Sequence, residues 1–372
     1  MTKRDRVLTL IRGQIPDKLP WFGDLDYWIT YLKATGQWDK KYQGEDGIFR
    51  LHDDLGVGFY LQGFFPFNTH YDGVDVKVEV QGDITTTSYK TPHGALTERW
   101  KYMRDTFSES PMEHLVKGLD DLPALRYIYE HTYYEPNYGK AAIFRQYAGD
   151  NGVTLCYMPK SPFMELVALK AGIESLTYCI ADDEEEVSHT LEVMRKKHEE
   201  AAMLTLEAGT DCIMIPENLS SESVGKGNFQ QYMEPYHKKW TAEIKKHGKV
   251  SFIHMDGTLK GLLAEVSRAG FRVLEALTPA PVGDVPLQDF LSIVSEDVII
   301  WGGLPGTFFS DFVSDEVFDR YVIDTIKYMT SKHVTSVPRF VLGVADQVPP
   351  YTKPERIKRV NELVEEYGAY PS

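Results

Sequence analysis

The chain has 372 residues, 42% of them hydrophobic, and its acids exceed its bases by 55 − 40 = 15. That length suits one large α/β unit or two average domains. The acidic balance, without a Lys/Arg-rich run, argues against nucleic acid and anionic membrane as partners.

The start, Met1-Thr2-Lys3-Arg4-Asp5-Arg6-Val7-Leu8, carries charges where a signal peptide has its apolar core, and no later run reaches membrane-spanning length. A soluble, cytoplasmic protein is therefore expected. Leu19-Pro20-Trp21-Phe22 predicts a first strand and Val57 to Leu61 a second, each followed by an aromatic-rich loop. Val76-Lys77-Val78-Glu79-Val80 alternates, Gly82-Asp83 reads as a turn, and Ile84 to Tyr89 is β-prone. These predict a hairpin inserted at about residues 76–102.

From about residue 150 onward, short β-branched runs alternate with helical patterns: Val153 to Tyr157, Cys212 to Ile215, Val250 to Ile253, Val273 to Leu277, Val298 to Trp301 and Phe340 to Leu342. Such alternation builds a parallel sheet. Val187, Leu191, Met194, His198 and Ala202 recur at helical spacing, and Gly209 is placed to end that helix. The acids Asp182 to Glu186 suit its positive end, and His198 reads as a helix-face residue. Six later strands and two early ones make the eight of a (β/α)8 barrel. With no linker, repeat or low-complexity tract, residues 1–372 read as one domain.

Of the three cysteines, Cys156 and Cys212 lie in apolar runs, and none is in CxxC spacing. Neither a disulfide framework nor a cysteine-rich metal knuckle is indicated. Two strands instead end in chemistry. Val250-Ser251-Phe252-Ile253-His254-Met255-Asp256-Gly257 delivers a histidine and an aspartate, and Asp211 to Asn218 delivers Glu217. In a parallel α/β fold both strand ends open on the ligand-binding face. The bland alternatives are a satisfied strand-end histidine and a turn-capping glutamate.

Ala208-Gly209-Thr210-Asp211, Phe229 with Tyr232 and Pro235-Tyr236, His254-x-Asp256-Gly257, and Gly343 followed by Pro349-Pro350 and Pro354-Glu355 resemble the uroporphyrinogen decarboxylase superfamily. So does the opening Arg12 to Trp21. The resemblance implies a (β/α)8 barrel. Where the decarboxylases carry an arginine-rich loop for substrate carboxylates, this chain has Phe22-Gly23-Asp24-Leu25-Asp26-Tyr27-Trp28. Their Gly-His-Gly turn is replaced by Gly343-Val344-Ala345-Asp346-Gln347. Both departures point away from porphyrinogen decarboxylation and toward the superfamily's corrinoid-dependent methyltransferases of one-carbon metabolism. Thiol-using members hold zinc with a His-x-Cys pair and a later cysteine, whereas here Asp256 replaces the first and no cysteine follows Cys212.

An oxygen-rich site resembles instead the methyltransferase component of anaerobic O-demethylase systems, which passes the methyl of a phenyl methyl ether to Co(I) of a separate corrinoid protein. It implies zinc as a Lewis acid on the ether oxygen. Glu217, Glu234 and His254 are the expected ligands, with Asp256 replacing one or orienting His254, and Glu275 in reserve. Glu234, early in a helix beginning near Asn228, reads equally as a surface acid. Trp21, Tyr27, Phe65, Tyr157 and Trp301, near strand ends, are expected to line an aromatic pocket, with Asp24, Asp346 or Gln347 as its polar anchors. Another small methyl donor (methanol, methylamine or methylthiol), decarboxylation, or a non-catalytic corrinoid- or aromatic-binding barrel stay open. So does the oligomeric state, a homo-oligomer included.

Overall fold

The computed structural model describes residues 1–60, 63–331 and 337–371. Leu61, the end of the expected second strand, lies outside the described residues. In chain order the strands are β1 (Phe67–Tyr71), β2 (Asp75–Gln81), β3 (Ile84–Thr91), β4 (Gly94–Met103), β5 (Ser108–Glu113), β6 (Thr132–Pro136), β7 (Leu155–Tyr157), β8 (Cys212–Ile215), β9 (Val250–His254), β10 (Val273–Leu277), β11 (Ile299–Pro305) and β12 (Phe340–Ala345).

Strands β7 to β12 form a six-stranded parallel sheet in sequential order, each following strand being reached through helical segments. That order is what βα units with short crossovers produce. Beyond the sheet's two edges, Trp21 bridges Leu342 in parallel, Phe22 bridges Gly58, and Phe59 bridges Gly152. Main-chain bonds accompany them: Phe22 N–H donates to Leu342 O at 3.0 Å, Gly58 N–H to Trp21 O at 3.0 Å, and Val153 N–H to Phe59 O at 2.9 Å.

Alternation along each strand separates two cores. Phe22, Met214, Phe252, Val273, Trp301 and Val341 belong to one buried cluster, and Ile213, Ile253, Leu274, Ile300 and Leu342 to the other, packed against helices. The first cluster is tied together by Trp301, whose ring lies 4.5 Å from that of Tyr60, 5.2 Å from Phe22 and 5.3 Å from Phe252. Helix Lys3–Ile11 joins the same cluster through fully buried Val7 and Leu10. It is clamped there by Arg4, whose guanidinium grips both oxygens of Asp211 at 2.6 and 2.8 Å. This N-terminal helix thus contributes to the inner core.

Helix Glu184–Glu207 begins at Asp183, whose side chain accepts from the Glu186 N–H, and carries three acids in its first turn. It stops two residues short of Gly209. The insertion is larger than the hairpin expected at 76–102. Strands β2 and β3 pair antiparallel around Gly82-Asp83, and β4 and β5 extend them to a four-stranded sheet ending at Glu113. Strand β1 pairs antiparallel with β6, bringing Phe67–Tyr71 beside Thr132–Pro136.

Candidate active site at the strand ends

The alternation that puts Phe252 and Val273 into the inner cluster carries the residues two positions further, His254 and Glu275, toward the same interior. Register pairs them directly across β9 and β10. His254 Nδ1 lies 2.7 Å from Glu275 Oε2, and the Tyr60 hydroxyl donates to Glu275 Oε1 at 2.7 Å. Glu275 and Tyr60 are completely buried, and His254 nearly so. On the other side of the ring, His254 Nε2 is 3.6 Å from Asp346 Oδ1.

Charge follows from this geometry. Burial by itself lowers the affinity of His254 for a proton, but the Glu275 charge and hydrogen bond, with help from Asp346 and Asp256, raise its pKa to about 9. The imidazolium form is therefore held at neutral pH, with Nδ1–H on Glu275 and Nε2 3.6 Å from Asp346. Asp346 is raised by burial and by the Asp256 and Glu275 charges, against the pull of His254. Asp24 is raised well above the usual carboxylate range by complete burial, its Oδ1 accepting the Asp26 N–H at 2.8 Å. Burial and the charges of Asp24 and Glu275 push the Tyr157 phenol up as well. Asp24, Asp256, Asp346, Glu275, Tyr60 and Tyr157 thus form one electrostatic neighbourhood around His254.

The backbone is unusual at these strand ends. Ala276 has φ +66°, where the β10–β11 register shifts between Glu275 and Leu277, and Asp346 has φ +67°. Left-handed conformations of non-glycine residues cost on the order of 1–3 kcal/mol and gather at functional sites. Two main-chain bonds brace the region: Met255 N–H to Glu275 O at 3.0 Å and Val348 N–H to Asp24 O at 2.9 Å.

The expected zinc ligands do not converge. Glu217 follows Ile213 and Ile215 into the helix-facing layer. Its Oε1 accepts the Ser161 N–H at 2.9 Å and lies 2.7 Å from His237 Nε2, both side chains being fully buried. The His237 ring packs 5.1 Å from Phe271 and 5.6 Å from Phe229, in that layer. Glu234 lies on the outer face of helix Glu234–Lys246, paired with Lys238 at 2.7 Å. Only His254 of the three stands in the strand-end cluster. Among the described residues no group of three or more His, Cys, Asp or Glu could hold a metal ion. The Glu217–Glu234–His254 set therefore does not fit zinc, because strand alternation and the helix surface send the two glutamates elsewhere.

The expected pocket residues divide similarly. Tyr157 and Asp346 are partly buried at the strand ends, and Gln347 follows on the same loop. Phe65, 46% exposed, sets its ring edge-on to Tyr157 at 5.7 Å. The Tyr27 hydroxyl donates to Thr106 O of the inserted sheet's β4–β5 turn. Two expected pocket aromatics are core instead. Trp21 packs in the helix-facing cluster and Trp301 lies at the centre of the inner one. Tyr60 was not among the sequence candidates. Its signal was available: it falls two positions after Gly58, on the inward phase of the second strand.

A family model described as uroporphyrinogen decarboxylase (URO-D) matches residues 118–367. Among solved structures, the chain is similar to a methyltransferase from Methanosarcina mazei, at TM-score 0.64 and 14% identity, covering 99% of each chain. Likeness to a B12-independent methionine synthase from a Shewanella species is weaker, at TM-score 0.41 and 12% identity over 86% of this chain and 85% of that one, and carries no argument. No curated protein matches significantly. No helix among the described residues is long and apolar enough to cross a membrane. With two thirds of its length matched by that model, the chain belongs to the uroporphyrinogen decarboxylase family, whose fold is a TIM barrel.

Proposed function

We propose that this protein is a methyltransferase that takes the methyl group of a small phenyl methyl ether and passes it to Co(I) of a corrinoid protein, with His254 as proton donor to the departing oxygen. The six-stranded sheet and the bridges at Trp21, Phe22 and Phe59 are read as one closed eight-segment barrel, a single domain with residues 75–113 inserted. The carrying observation is the buried Tyr60–Glu275–His254 chain.

An aryl ether resists demethylation because phenolate leaves poorly, its conjugate acid titrating near 10 by analogy with tyrosine. An imidazolium with a pKa of about 9 is closely matched to that oxygen and remains protonated at neutral pH. The corrinoid, carried by its own protein, supplies the nucleophilic electron pair. The carbon–oxygen pair stays on the oxygen, which takes the proton from His254 Nε2, and the phenol leaves. Glu275 fixes the ring and stabilises its charge while Tyr60 holds Glu275. Asp346, partly exposed beside Nε2, links the imidazole to solvent for reprotonation. Phe65 and Tyr157 offer the substrate an aromatic edge.

This scheme places no step on the Glu217–Glu234–His254 set. The carboxylates near His254 would repel the polycarboxylate substrate of a porphyrinogen decarboxylase. They do favour a second reading, a methylammonium donor, whose cation they would attract.

The deciding experiment mixes the protein with a reduced corrinoid protein and follows the corrinoid's visible spectrum after adding methoxylated phenols or methylamines. Methylation from the ethers, lost in His254→Ala, supports the proposal. Methylation from amines alone selects the second reading, and none from any donor overturns both.

A further inference from the structure

A cavity of about 260 Å³ is lined by strands β1, β3 and β6 and by the helical segments that carry Tyr129, Glu165 and His198. Its aromatic walls include Phe67 and Tyr134, 5.1 Å apart edge to face, and Tyr71 and Tyr89, 6.0 Å apart. One end is polar. There the Tyr129 hydroxyl donates to Glu165 Oε1 at 2.5 Å, and His198 Nε2 lies 2.9 Å from Glu165 Oε2. Lys170, also in the lining, acts on Glu165 through its charge, and Lys160 donates to Pro216 O.

Size and charge select the occupant. A cavity of about 150 Å³ holds benzene, so this one has room for a single ring with one or two substituents. Both oxygens of Glu165 are engaged by Tyr129 and His198, leaving little to attract a cation. Lys160 donates to Pro216 O, whereas the charge of Lys170 acts on Glu165 and, among the described residues, its ammonium makes no hydrogen bond or ion pair. An anionic group is what the polar end lacks. The aromatic walls offer edge-to-face contacts to a ring. We propose that this cavity is a second binding site, for a single-ring aromatic carboxylate.

The site does not depend on the methyl-transfer reading. It abuts the strand-end cluster through Phe65, which lines the cavity and contacts Tyr157, but shares neither His254 nor Glu275.

The test is calorimetric titration of the full-length protein with benzoate, toluene and benzylammonium, none of them a methyl ether or a methylated amine. Thr69 lies on an exposed strand position at the cavity rim, so Thr69→Trp blocks the cavity at little risk to folding, which a thermal melt checks. Benzoate is expected to bind at one site and to weaken at least tenfold in Lys170→Met. Thr69→Trp should abolish binding, His254→Ala should leave it unchanged, and the two uncharged or cationic probes should bind at least tenfold more weakly. No saturable benzoate binding, preference for the cation, or loss in His254→Ala with retention in folded Thr69→Trp would overturn the proposal. Because the readout is binding, failure of methyl transfer does not affect it.

Discussion

His254 and Glu275 face each other across neighbouring parallel strands, Nδ1 2.7 Å from Oε2, with the carboxylate sealed from solvent. Partnership with a buried carboxylate raises the histidine to about 9. If His254 must be protonated, kcat/KM should hold constant at neutral pH and fall as pH rises through about 9. In Glu275→Gln the alkaline limb should move down by at least one pH unit toward the ordinary histidine value of 6.5, with turnover reduced roughly 10²-fold or more. A profile that stays in place in the variant would remove His254 from the acid role.

The same coupling bears on stability. A histidine whose pKa is raised on folding contributes stability that is complete below the unfolded value of 6.5 and is lost as pH rises through about 9. Between those values, one such group sets a slope of at most about 1.4 kcal/mol per pH unit. Urea titrations across this window should show a smaller pH slope for His254→Gln than for the wild type.

Tyr60→Phe removes the donor to Glu275 Oε1 and leaves that oxygen buried without its partner. The expected loss is roughly 1–3 kcal/mol of stability, measured by denaturant unfolding. Activity should fall less than in Glu275→Gln, since the contact with His254 remains.

Glu234→Ala tests the expected metal set. Its carboxylate makes a surface ion pair with Lys238, so removal should change stability by no more than about 0.5 kcal/mol. Metal content and turnover should also stay within twofold of the wild type. Parallel loss of zinc and rate would restore Glu234 as a ligand.

At the opposite end of the sheet, Arg4→Ala breaks the two bonds to Asp211, whose Oδ2 also accepts from the Thr154 N–H at 2.9 Å. Partial burial of the pair makes a loss of roughly 1–3 kcal/mol reasonable, while kcat of the folded fraction should be unaffected. Arg4 and the amide hold the Asp211 carboxyl low against its burial. Their stabilisation is present above the unfolded carboxylate pKa and is lost as pH falls through the folded one. The variant's deficit should therefore shrink in acid.

Strand runs and their spacing were written in local sequence: β8 from Cys212, β9 from Val250 and β10 from Val273 begin where the apolar runs begin. Alternation also made one assignment readable, since Phe252 inward implies His254 inward. Applied to Ile213, Ile215 and Glu217, the same period points Glu217 to the helices, where His237 waits. Only the fold decided the partners. Tyr60 and Glu275 are separated by 215 positions, and Glu165 and His198 meet across a helical layer that no local period reports. Period-2 and period-3.6 patterns encode which face of an element is buried, because burial is a property of one element and its solvent. Which polar groups meet inside depends on register between elements distant in the chain, and therefore only on the assembled structure.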